Sequence, residues 1–221
     1  MNLVIATSTT TDGSMKSTDM SYASVFPARE KFLRAHDIAP DQATLVQLIY
    51  EGDDYTRYTT LTDADKGDGI TRQASIVSDA LVVTAPGHAL FLPLADCIGA
   101  VIYDPSRDIL MLSHLGRHNL EQFSGTRCIE YLAEKHGVNP SNLTVWLSPA
   151  AGKASYPLYA FDNRSLHDVA TEQIITAGVL PKNITVSPVD SAVDPAYFSH
   201  SQYLKGNRET DGRFAVVAML T

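Results

Sequence analysis

Apolar residues along this chain recur in short runs closed by turn residues, the pattern of buried strands, and only three stretches carry apolar residues at helical spacing. The runs predict strands at Asn2 to Thr7, Thr44 to Tyr50, Ala80 to Thr84, His88 to Pro93, Ile98 to Tyr103, Ile109 to His114, Leu143 to Leu147, Ile184 to Pro188 and Arg213 to Leu220. Helices are predicted over Ala28 to His36, Leu120 to His136 and Asp168 to Ala177. The middle helix opens with polar residues and closes on His136 and Gly137, as a helix terminus should. Turn chemistry at Ala85 to Gly87, Asp104 to Asp108 and Asn139 to Asn142 separates the elements, and neither a Ser/Gly/Pro linker nor an internal repeat divides the chain. The reading is therefore a single α/β domain over residues 1–221, layered, with mixed sheets flanked by helices.

One stretch breaks the apolar pattern. In LPLADCIGAVIYDPSRDILMLSHLG, residues Leu92 to Gly116, an acid and a thiol, Asp96 and Cys97, interrupt one run, and the next ends on His114. A tight turn near Pro105 pairs the strand from Ile98 with the strand ending at His114, which brings Cys97 and His114 near each other. Such a pair serves two purposes. The imidazole lowers the thiol pKa so that a thiolate attacks carbonyl-type carbon, or both groups bind a borderline-soft metal such as zinc. The spacing leaves both open.

Composition narrows the setting. A chain of 221 residues, 44% hydrophobic and 19% charged, has the profile of an ordinary globular protein with a sizeable core. Its net charge of -8 is spread without a Lys/Arg block, so no basic stripe for nucleic acid is present. The N-terminal apolar run is short and lacks a basic flank, and no stretch reaches membrane-spanning length, so the expectation is a cytoplasmic protein that is neither a membrane nor a nucleic-acid partner. Monomer is the default expectation. With only Cys97 and Cys128, no disulfide framework is expected.

The motifs, taken in order, resemble those of the YfiH-like family, the laccase-domain or polyphenol-oxidase proteins, better described as zinc-dependent enzymes acting on purine nucleosides. STTTDGS at Ser8 to Ser14 resembles the family's STRxGGVS, and SDALVVT at Ser78 to Thr84 resembles its DALVT. Ala95 to Cys97 and Tyr103 to Pro105 stand for its ADC and YDP, and SHLGRHN at Ser113 to Asn119 for its HAGWRG. SPAAGKASY at Ser148 to Tyr156, FSHSQ at Phe198 to Gln202 and DGR at Asp211 to Arg213 match its GPAIGPCCY, FSHRR and TGR. The resemblance implies the layered fold that the family shares with the cytotoxic necrotizing factor cysteine hydrolases, a zinc cofactor, and nucleoside and phosphate as small-molecule substrates.

The departures are as informative. The family holds its metal by the Cys of ADC, the His of HAGWRG and an earlier His in QVHG. Cys97 and His114 match, but Ile49 occupies the place of the first His, leaving Tyr50, Asp53 or His118 as stand-ins for the third ligand. The arginines of STRxGG and FSHRR are gone. Arg213 keeps the place of the one in TGR, Arg117 lies one place out of register, and Tyr156 survives beside Ala154 and Ser155, which replace the paired cysteines. Three functions follow: a zinc enzyme acting on nucleosides with Cys97 and His114 as ligands, a thiol hydrolase or deamidase with Cys97 as nucleophile and His114 as general base, or a lapsed member that binds a small molecule or partner without turnover. The expected site gathers Cys97, His114, Gln47 and Arg213 at strand ends, with Arg117, Tyr156 and His200 for substrate or anion. Asp96 is either catalytic or a turn anchor. His88, His136 and His167 are expected at the surface or as caps, FSH leads a strand, the acidic stretch Thr62 to Gly69 is an exposed turn, and Cys128 packs in the core.

Overall fold

The computed structural model describes residues 1–16 and 21–221. In chain order its main elements are β1 (Leu3–Thr7), α1 (Tyr22–Arg34), β2 (Ala43–Leu45), β3 (Tyr58–Thr60), β4 (Ala80–Val83), β5 (Ala89–Leu94), β6 (Ile98–Asp104) and β7 (Ile109–Leu115). There follow α2 (Arg117–Glu121), α3 (Ser124–His136), β8 (Thr144–Leu147), α4 (Leu166–Thr176), β9 (Ile184–Val186), α5 (His200–Leu204) and β10 (Phe214–Leu220). No helix among the described residues is long and apolar enough to cross a membrane.

The strands form two mixed sheets, β1-β10-β5-β2 and β3-β4-β7-β6-β8-β9. Because side chains alternate faces along a strand, each sheet buries two sets. One face of the six-stranded sheet (Val82, Ile98, Ala100, Met111) packs on Ile129, Leu132 and Ile174 of α3 and α4. Its other face (Leu81, Val101, Leu112) meets Leu90, Leu92 and Val216 of the four-stranded sheet. The far face of that sheet (Phe91, Ala215, Val217) packs on Phe32 and Leu33 of α1. The α/β class is thus realised as helix, sheet, sheet, helix. Burial on both faces explains why β10 reads as an unbroken apolar run although it is antiparallel.

Several local expectations are corrected. The strand expected over Thr44 to Tyr50 ends at Leu45: Val46 still donates its N–H to Phe91, but Gln47 then pairs with Val77 instead of β5. The first helix begins at Tyr22 and carries Pro27 inside it. The helix expected over Leu120 to His136 is two, α2 and α3, split at Phe123 in the left-handed conformation (φ 60). FSH opens a helix: Ser199 accepts from the Gln202 N–H as N-cap of α5. His88 is buried, with Nε2 2.8 Å from Thr44 Oγ1. His167 is half-buried against the Ser148 carbonyl, and His136 closes α3 against Thr60. Within the acidic stretch Asp68 is buried and accepts from the Ser75 and Ile76 backbone, so that turn is structural. Cys128 is fully buried in the core.

Candidate active site

The hairpin of β6 and β7 sets the register Gly99 to His114, so Cys97, one residue before β6, arrives beside the end of β7. The next residue along, Gly116, measures how close the two functional groups come. A methyl carbon placed on Gly116 would stand 2.9 Å from Cys97 Sγ, 2.8 Å from His114 Cε1 and 3.2 Å from His114 Nε2. Sulfur and Nε2 are therefore within about 6 Å of each other.

Cys97 is oriented by the residue before it. Asp96 sits at φ 79, a left-handed conformation that costs a residue with a Cβ roughly 1–2 kcal/mol. It is held there from two sides. Its Oδ1 accepts from Ser199 Oγ at 2.5 Å and its Oδ2 from the Ser201 N–H at 2.6 Å, while its carbonyl accepts from the Ala151 N–H at 2.8 Å. Both oxygens of the buried carboxylate are thus occupied in fastening the start of α5 to the β5–β6 turn. Asp96 acts here as an anchor.

Burial sets the electrostatics of the pair. It pushes the Cys97 thiol up to about 12, with Asp96 adding to the rise, and it pushes His114 down to about 4 against the pull of Asp79 and Asn119. At neutral pH both groups are uncharged, so they are not a preformed thiolate and imidazolium. Among the described residues, His114 Nδ1 is buried with no hydrogen-bond partner.

The pair faces a cleft of about 370 Å³, within the range of small-molecule sites. Arg117 and His118 enter it from α2, Tyr156 from the loop after β8, His200 from α5, and Arg213 from the residue before β10. Arg213 Nη1 donates to Asp211 Oδ1 at 2.5 Å, and His200 Nδ1 is 2.8 Å from the same oxygen. Lys16 and Tyr50 complete the rim. Lys16 carried no sequence signal, because it lies in an irregular segment that only tertiary packing brings to Arg213. Asp211 was legible only as part of DGR.

Gln47 does not converge with this group. It lines a smaller neighbouring cavity of about 70 Å³ with Arg29 and Gln73, which shares Lys16, Leu48 and Pro93 with the cleft. Leu48 and Tyr50, further along the same segment, do reach the cleft, whereas Gln47 faces the neighbouring cavity.

The donors fit an incomplete metal site. Cys97 Sγ and the imidazole of His114 are two donors of suitable chemistry, with the room kept by Gly116 between them. Among the described residues, no group of three His, Cys, Asp or Glu side chains is placed to hold a metal ion. His118, named as a stand-in, is engaged elsewhere: its ring stacks on Tyr55 at 4.7 Å, and its nitrogens face Arg117 and Glu121. The strand before it ends at Leu115, so His114 and His118 share no helix face. Asp53 is exposed, and its carbonyl accepts from Gln122. Tyr50 reaches the cleft with its ring exposed but adds only a phenol, which at an ordinary pKa of about 10 is protonated at neutral pH.

The family described as multi-copper polyphenol oxidoreductase laccase matches residues 9–221. A purine nucleoside phosphorylase of Corynebacterium glutamicum is 28% identical over 119 residues, 54% of this chain and 45% of that protein. The purine nucleoside phosphorylase YlmD of Bacillus subtilis is 26% identical over 102 residues, 45% of this chain and 37% of that protein. The matched segment thus spans less than half the length of these curated relatives. Among solved structures, the hypothetical protein YfiH of Bacillus licheniformis superposes with a TM-score of 0.85 at 19% identity, covering 99% of this chain and 93% of that one.

Proposed function

The chain belongs to the multi-copper polyphenol oxidoreductase laccase family, and from that premise we propose that its cleft binds a purine nucleoside beside inorganic phosphate and catalyses phosphorolysis of the glycosidic bond. One observation carries the reading: a chain of net charge -8 gathers Lys16, Arg117 and Arg213 on a single cleft beside Cys97 and His114. Cations on a partly enclosed wall favour an anion, and an arginine fork matches phosphate geometry. The reaction requires a phosphate oxygen to form a bond to C1′ of the ribose while the C1′–N9 bond breaks and its electron pair passes into the base. The cations act by holding the nucleophilic phosphate in line and lowering its repulsion from the electron-rich substrate. Tyr156 and Tyr50 offer aromatic faces to the nucleoside.

Cys97 and His114 supply two donors where the resemblance implies three, so no metal-dependent step is built into this reading. Burial raises the Cys97 thiol, which weighs against the thiol-hydrolase alternative, since its nucleophile is the thiolate. The test is release of base from adenosine and inosine with and without phosphate, with ribose 1-phosphate measured alongside. Phosphate-dependent formation of ribose 1-phosphate is expected, and Arg213→Ala raises the KM for phosphate about tenfold or more, the scale of a lost charge-assisted pair. No release, or release indifferent to phosphate, overturns the proposal.

A further inference from the structure

We propose that His200 is the general acid of the cleft, delivering a proton to the departing base, with Asp211 as the group that orients it. The inference rests on the phosphorolytic reading and adds the group that handles the leaving base. His200 lines the cleft with its side chain 43% exposed, and its Nδ1 is 2.8 Å from Asp211 Oδ1. An ionised carboxylate only accepts, so Nδ1 carries the hydrogen and Nε2 is left to the cleft, where it has no protein partner among the described residues. This arrangement, one imidazole nitrogen bound to a carboxylate and the other free toward substrate, fixes the tautomer and stabilises the ring when it is charged.

Both partners are themselves held. Asp211 is fixed by Arg213 Nη1 at 2.5 Å. The start of α5 is pinned where Ser199 and Ser201 bind the carboxylate of Asp96, on either side of His200. The other two rings in the cleft are less suited. His114 is buried, and among the described residues its Nδ1 has no hydrogen-bond partner. His118 is stacked on Tyr55 and lies against Arg117.

The chemistry needs such a group. As the C1′–N9 bond breaks, its electron pair enters the purine, which would leave as an anion. The acid is the doubly protonated ring, whose charge the Asp211 carboxylate stabilises: transfer of its Nε2 proton to N7 lets the base leave neutral, the phosphate oxygen completes its bond to C1′, and the Nδ1–H ring regains an Nε2 proton from water after the products depart. Positioned proton transfer of this kind contributes typically 10²–10⁴-fold.

The decisive comparison uses inosine and 7-methylinosine, whose N7 already bears a methyl group and a positive charge, so that its base leaves neutral without a proton. At saturating phosphate, His200→Ala is expected to lower kcat on inosine by about 100-fold or more and on 7-methylinosine by about twofold or less. His200→Gln, closer in size, repeats the measurement should the alanine variant fold poorly, and Asp211→Asn gives a smaller loss with the same selectivity for inosine. Equal loss on both substrates, or undiminished turnover of inosine, overturns the role of His200 and leaves the phosphorolytic reading standing. A wild-type protein that cleaves neither nucleoside with phosphate overturns both.

Discussion

At the scale of single residues, the chain spends conformational strain and buried polarity where they hold the cleft. Asp96 adopts a left-handed backbone and gives both carboxylate oxygens to α5, and Gly116 lacks the side chain that would crowd both Cys97 and His114. Away from the cleft, His88 shows the same accounting in simpler form. Only 4% exposed and bonded to Thr44, it is pushed down to about 4 from an ordinary 6.5, mainly by burial and then by Lys66. Above pH 6.5 the ring is neutral both folded and unfolded. As the pH falls from 6.5 toward 4 the unfolded chain gains a proton that the folded chain refuses, so stability present above 6.5 is lost through that window. At 1.36 kcal/mol per unit the loss is at most about 3 kcal/mol. Chemical denaturation at pH 7 and pH 4.5 measures it. His88→Gln should show a shallower fall than wild type, and an identical fall removes His88 as its source.

At the scale of elements, legibility followed burial. β5, β6, β7 and β10 were plain in the sequence because both faces are buried and nearly every position is apolar. Elements whose ends depend on one backbone angle or one distant partner were not. Helical periodicity runs without interruption across Gln122 and Phe123, yet the chain turns there because Phe123 takes φ 60, a choice aromatic residues rarely make and that nothing in the local sequence announces. The first helix was expected from Ala28, whereas α1 begins at Tyr22 and carries Pro27 inside it. The site divides in the same way. Cys97 and His114 follow from hairpin register, while Lys16 arrives through tertiary packing and Gln47 faces the neighbouring cavity. The break between α2 and α3 gives a direct test, since Phe123 is 57% exposed and contributes little packing. Phe123→Asn keeps the left-handed turn with a residue that tolerates it, and is expected to stabilise the protein by about 1 kcal/mol, the lower end of the left-handed penalty. Denaturant titration decides, and a destabilised variant means the ring is doing more than its exposure implies.

At the scale of the whole molecule, the cleft lies on the seam between two sheets. Asp96 and Arg213 come from the ends of β5 and β10 in the four-stranded sheet, and Cys97 and His114 from β6 and β7 in the six-stranded one. What holds the halves together is the apolar layer between them, where Leu112 and Leu81 face Leu92 and Val216. Leu112 is fully buried, so Leu112→Ala removes contacts and leaves a cavity, a change expected to cost 2–5 kcal/mol of about the usual range for such truncations. If the two sheets fold as one cooperative unit, that loss lowers the stability of the native state without reshaping its anion site. Phosphate at 100 times its Kd should then raise the unfolding free energy by about 2.7 kcal/mol in wild type and in Leu112→Ala alike. Arg213→Ala should behave in the opposite way, with near-normal stability in the absence of phosphate and a much smaller increment in its presence. Equilibrium unfolding of the three proteins with and without phosphate separates the two effects. A full increment in Arg213→Ala would move the anion site away from this seam, and a lost increment in Leu112→Ala would mean that the packing of the two sheets sets the geometry of the cleft as well as its stability.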